Sequence, residues 1–153
     1  MDIFPILLSI HVATVVLWIG GVAFVTTIII PTIRGMEDSL AKALIFQKIE
    51  SRFAKQAWYF IVVTGVSGGG LLYLTGRFNT LFTREGIGIT SMVIVWFLYL
   101  MVLSFEKKIF SLLFGGAKEL NPDKIFFIIG TFHWVVLFFS LLALFLGVFY
   151  GHS

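Results

Sequence analysis

The 153-residue chain has no cysteine, which removes disulfides, thiolate metal sites and thiol redox chemistry together and leaves the redox compartment unmarked. Any metal must be held by histidine, methionine or oxygen. Charge is nearly as scarce: 12% of the residues are Asp, Glu, Lys or Arg against 59% hydrophobic, with a mean hydropathy of +1.03. A water-soluble domain could not cover that composition with polar surface, so the solvent is mostly lipid. Residues 3–33, 56–76, 86–105 and 125–153 contain no charged side chain at all. Each run reaches the roughly 20 residues that a helix needs to cross about 30 Å of hydrocarbon. The alternating strand-length segments of a membrane barrel are also missing, and a helix satisfies its own backbone in lipid. The expectation is an all-α, four-helix transmembrane bundle in a single domain, with helices at about residues 4–30, 53–75, 87–105 and 125–150.

No basic stretch precedes the first span, which is about twice the length of a signal-peptide apolar core and is therefore expected to stay in the mature protein. Nothing resembles a nucleotide loop, a nucleophile with its base or a carboxylate pair, so hydrolase and kinase readings fall away.

Turn signals divide the chain. Pro5 is tolerated in the first turn of the first helix, and Pro31 and Gly35 are expected to end it. Residues 37–55 are polar but carry Leu40, Leu44, Ile49 and Phe53 at helical spacing after caps at Asp38 and Ser39, which reads as a cytoplasmic extension feeding the second span. Residues 109–114 read as a short interfacial segment before Gly115-Gly116, and Asn121-Pro122-Asp123 as a turn and helix start. Arg34, Lys42, Lys48, Arg52, Lys55, Lys107, Lys108, Lys118 and Lys124 lie in the first and third loops, whereas the second has only Arg77 and Arg84. The positive-inside bias then places both termini on the periplasmic side of a bacterial inner membrane. The same bias explains the net charge of +3, which does not indicate nucleic acid.

The ionisable groups at depth are His11 and His133, and an imidazole in hydrocarbon is costly unless hydrogen-bonded or ligated. His11, Val15, Trp18, Val22 and Val25 share one helix face, and Gly130, His133, Ser140, Gly147 and Gly151 share another. The Gly65/Gly69 pair has the small-xxx-small spacing that admits a neighbouring helix or a flat ligand. Arg52, at the mouth of the second span, suits a haem propionate or another anion, or else lipid phosphate.

The string Ser9-Ile10-His11, then Leu17-Trp18-Ile19-Gly20-Gly21, then Arg52-Phe53-Ala54-Lys55 and Thr64-Gly65, resembles the CopD-like (copper resistance D domain) membrane proteins over about half the chain, roughly residues 4 to 75. That resemblance implies copper handling across the inner membrane. The early His followed by a Trp also looks like the HemJ-type haem-binding four-helix membrane proteins, although the Lys expected on their third helix is missing here. This second resemblance implies haem b with electron transfer or porphyrinogen or quinone oxidation.

Read from the residues, copper wants soft or imidazole donors at several depths. The chain offers Met1, Met92, His11 and His152 toward one side, and Met101 and His133 toward the other. Haem suits the two histidines, the Gly-rich face and the 18 phenylalanines. From the span centres, His11 and His133 differ in depth by ~16 Å, or about 6 Å if the span ends shift. One bis-histidine haem needs the low end of that range; otherwise Met92 stands at the depth of His11 and Met101 at that of His133. The expected partners are thus the lipid bilayer, a metal ion or haem, and a redox or membrane-protein partner. A ligand-free structural subunit, its histidines merely joining helices, stays open beside them.

Overall fold

With no water in hydrocarbon to take up backbone polar groups, each apolar run forms helix along its whole length. The computed structural model describes residues 2–115 and 122–151; Met1, Gly116, Lys118, Asn121 and His152 lie outside them. Helix α1 spans Ile3–Arg34, α2 Ser39–Thr75, α3 Ile87–Gly115 and α4 Pro122–Gly151. All four are long and apolar enough to cross a membrane, and the described residues contain no strand. Large apolar side chains such as Val66, Phe97 and Phe138 cover the outside, as an integral membrane protein requires.

Two helices run further than their sequence signals predict, and the polar stretch expected to feed the second span begins its helix at the expected cap. Pro31 does not end α1, which continues to Arg34 because a π turn at Val25–Ile29 precedes the proline. The Ile30 N–H bonds back to the Val25 carbonyl, so Pro31 falls in the first turn of a fresh α segment, Ile30–Arg34, where a missing N–H is tolerated. The polar stretch after it joins the second span in one 37-residue helix, capped where Asp38 Oδ1 accepts from the Leu40 and Ala41 N–H groups at 2.8 and 3.1 Å. Gly76, at φ +65°, closes α2 in the left-handed conformation that glycine adopts without steric cost. Helix α3 likewise runs through the expected interfacial segment to Gly115.

Helices pack in two pairs, α1 along α2 and α3 along α4, with looser contact between the pairs. Midway, Trp18, Ile19 and Val22 of α1 meet Ile61 of α2, Val95 and Tyr99 of α3, and Leu137 and Ala143 of α4. Nearer the end away from the termini, Val25, Ile30 and Ile33 pack with Phe46, Ile125, Phe126 and Ile129. Because lipid tails are as apolar as these side chains, close approach and interhelical hydrogen bonds must hold the pairs together. Thr64 of α2 supplies one such bond, donating to Thr14 Oγ1 of α1 at 2.9 Å. At the end carrying the termini the two pairs separate, leaving a cleft.

Candidate functional site

The cleft has a volume of about 460 Å³, within the range of roughly 300–1,000 Å³ typical of small-molecule sites. Its lining is almost wholly apolar, and its polar groups are His11, Thr64, Thr75, Arg77, Ser140 and the indoles of Trp18 and Trp96. Each helix contributes.

His11 owes its pose to α2. Its Nδ1 lies 3.1 Å from the Thr64 carbonyl oxygen and 3.2 Å from Ser67 Oγ. A carbonyl only accepts, and the Ser67 hydroxyl donates to the Val63 carbonyl at 2.7 Å, so Nδ1 carries the proton and donates to both. The lone pair is thereby left on Nε2, for which the described residues supply no partner. Histidines that ligate metals are commonly held through their other nitrogen in this way. Gly68 makes the pose sterically feasible, since a Cβ there would stand 3.0 Å from His11 Cε1. Gly65 does the same for the Trp96 indole, which would meet a Cβ at 2.5 Å and whose Nε1 donates to the Ile61 carbonyl at 2.9 Å. The close approaches thus fall at Gly65 and Gly68. Gly69 instead lines the cleft with open space before it.

Trp18 and Ser140 lie deeper. Trp18 is 3% exposed, packs edge-on against Tyr99 with ring centroids 4.5 Å apart, and its indole N–H has no hydrogen-bond partner among the described residues. Leaving a buried donor unmade costs on the order of 1–3 kcal/mol, which an acceptor in the cleft would recover. Tyr99 donates to Ser140 Oγ at 3.0 Å, because Ser140 itself donates to the Val136 carbonyl. Arg77 lines the cleft from the turn that follows Gly76.

His11, Trp18 and Met92, all singled out from sequence, come together here. His133 does not. It belongs to the other half of the bundle, where its Nδ1 donates to the Ile129 carbonyl at 2.9 Å and its Nε2 stands 3.8 Å from Glu50 Oε1. The two histidines therefore do not share a centre. Met101 is 52% exposed on the outer surface, so Glu50 rather than Met101 faces His133. Arg52 is also exposed and away from the cleft, and the cation of the site is Arg77. Its sequence signal is a basic residue directly after a span on the cation-poor side. Among the described residues there is no group of three or more His, Cys, Asp or Glu side chains placed to hold a metal ion.

No family model, curated protein or solved structure matches the chain.

Proposed function

We propose that the protein is a membrane redox protein whose cleft holds haem b through His11. The observation that carries this reading is the His11 imidazole, pinned through Nδ1 to α2 with its Nε2 left for a ligand in an apolar cleft. A bare metal ion needs several donors from the chain, whereas a macrocycle brings four of its own and asks the protein for one or two. The residues fit such a group. His11 Nε2 would supply the chain's donor to the iron, Gly69 leaves open space before the α2 backbone for a flat ring, and Trp18 offers an unused N–H. Arg77 is the cation for an acidic substituent. Haem supplies one-electron chemistry when bound; the chain's part is to orient the imidazole, exclude water with apolar walls and neutralise the acid groups at Arg77.

Met92, on the same cleft, favours a second reading in which its thioether joins His11 on copper, in keeping with the CopD-like resemblance. In both readings the cleft opens toward the periplasm of a bacterial inner membrane, as the nine-to-two distribution of basic residues supports. Reporter fusions at Ser153 test that direction: activity confined to the cytoplasm would reverse it.

Absorbance and metal analysis of the protein purified from membranes separate the readings. A Soret band with stoichiometric iron is the expected result. Stoichiometric copper without that band selects the second reading, and neither selects a ligand-free subunit.

A further inference from the structure

The outward face of α2 carries charge that neither the cleft nor the packing of the helices uses. Lys48, Arg52 and Lys55 recur at the i, i+4 and i+7 spacing of one helical stripe, and all three are exposed. The same stripe continues through Tyr59, Val62, Val66 and Tyr73, which are 67%, 51%, 72% and 77% exposed. An apolar stretch bounded by a tyrosine at each end, about 21 Å apart along the axis, is the lipid-facing surface of a spanning helix. The basic trio follows beyond Tyr59 and itself covers about 10 Å.

Packing sets the depth of the trio. Phe53, between Arg52 and Lys55, lies against Gly21 of α1, and Phe46 packs with Ile30 and Ile33. The α1 segment level with the trio therefore includes Phe24 and Ile28, which are 55% and 51% exposed. Across the bundle Glu50 faces His133 of α4, near which Ile128 and Phe132 are 47% and 44% exposed. The cations thus share their level with large apolar side chains that point outward on two other helices. They stand at the edge of the hydrocarbon layer rather than in open water.

Nothing among the described residues answers that charge: none of the three cations has a hydrogen-bond or ion-pair partner there. Glu50, two residues after Lys48, lies on the opposite side of the helix, toward His133. A cation at the hydrocarbon boundary is costly without a counter-charge, and its long stem lets it reach outward to one. On a lipid-facing stripe the anion present at that depth is the phosphate of a phospholipid, and lipids with a net negative headgroup answer a run of cations best. An acidic protein in water would have to reach past the headgroups to the same level.

We propose that Lys48, Arg52 and Lys55 form a binding stripe for anionic phospholipid headgroups in the leaflet on the side away from the termini, with the acyl chains lying along Tyr59, Val62 and Val66. The stripe is on the outer surface and does not depend on what the cleft binds.

Electron paramagnetic resonance of chain-labelled lipids reads this contact in bilayers of phosphatidylcholine. At low ionic strength, labelled phosphatidylglycerol should show a motionally restricted fraction about threefold or more above that of labelled phosphatidylcholine. The excess should shrink with added salt. The combined Lys48→Gln, Arg52→Gln and Lys55→Gln protein should lose the excess while its phosphatidylcholine fraction, which reports the folded bundle, stays the same. Removing as many charges from other helices at the same end, with Arg34→Gln, Lys108→Gln and Lys124→Gln, should leave most of it. Equal fractions for the two lipids in the wild type overturn the proposal, as does an excess that survives in the stripe variant or is lost equally in the second. Inorganic phosphate should displace no more phosphatidylglycerol than chloride of the same ionic strength; greater displacement would make free phosphate the ligand and end the lipid assignment. A photo-crosslinker at Ser51, exposed beside the stripe, that captures a protein instead of lipid in the source membranes would do the same.

Discussion

His11 and His133 are the same residue at comparable distances inside their helices, yet the bundle gives them opposite surroundings. Both are anchored through Nδ1 to a backbone carbonyl. What differs is the second nitrogen: that of His11 is left at an open apolar cleft, and that of His133 meets a carboxylate in an aromatic enclosure. An intramembrane histidine therefore does not announce its role by depth or by apolar flanks. What faces the nitrogen that is not anchored differs between them, an open apolar cleft for His11 and the Glu50 carboxylate for His133.

The contrast can be broken most severely at Gly68. A leucine there would enter the space of the His11 ring and should displace it, lowering haem retention on the order of tenfold or more, about 1.4 kcal/mol per decade, while Gly69→Ala, with open space before it, should change retention little. Spectral titration of both variants with haem checks this pair of outcomes. Next in size, Gly65→Ala drives a methyl against the Trp96 indole and should destabilise the bundle by about 1–3 kcal/mol in a denaturation series in detergent.

Arg77→Gln should weaken haem binding severalfold, and more at low than at high ionic strength, because the removed charge sits at a half-exposed turn. Arg52→Gln, on the exposed surface elsewhere, should leave the same titration unchanged. The smallest effect is expected from Thr64→Val. It removes the bond to Thr14 but keeps the carbonyl that anchors His11, so stability should fall by about 0.6 kcal/mol with haem retention intact.

Much of this architecture is legible in the residues alone. The stripe of His11, Val15, Trp18, Val22 and Val25 follows from helical period, and Trp18, Val22 and Val25 are each 3% exposed in the folded chain. The face of Gly130 and Ser140 likewise turns inward, with Ser140 fully buried. Period gives an angle on one helix, however, and not the helix that will meet it. That is why Trp96 on Gly65, His11 on Gly68 and Glu50 against His133 emerge only from the packing. Glu50 and Lys42 sit in a stretch whose charges mark it as aqueous, yet the helix folds that face against α4, leaving Lys42 6% exposed. Pro31 signals a helix end correctly in ordinary α geometry, and the π turn before it removes the clash that the rule assumes.

The division of labour between the two histidines is tested most directly by measuring the absorption spectrum and bound metal of His11→Ala and His133→Ala beside the wild type, all purified from membranes at equal helical content. The wild type and His133→Ala should carry the same Soret band and iron content, and His11→Ala should carry neither. Full ligand content in His11→Ala, or equal loss in both variants, would contradict separate roles for the two sites.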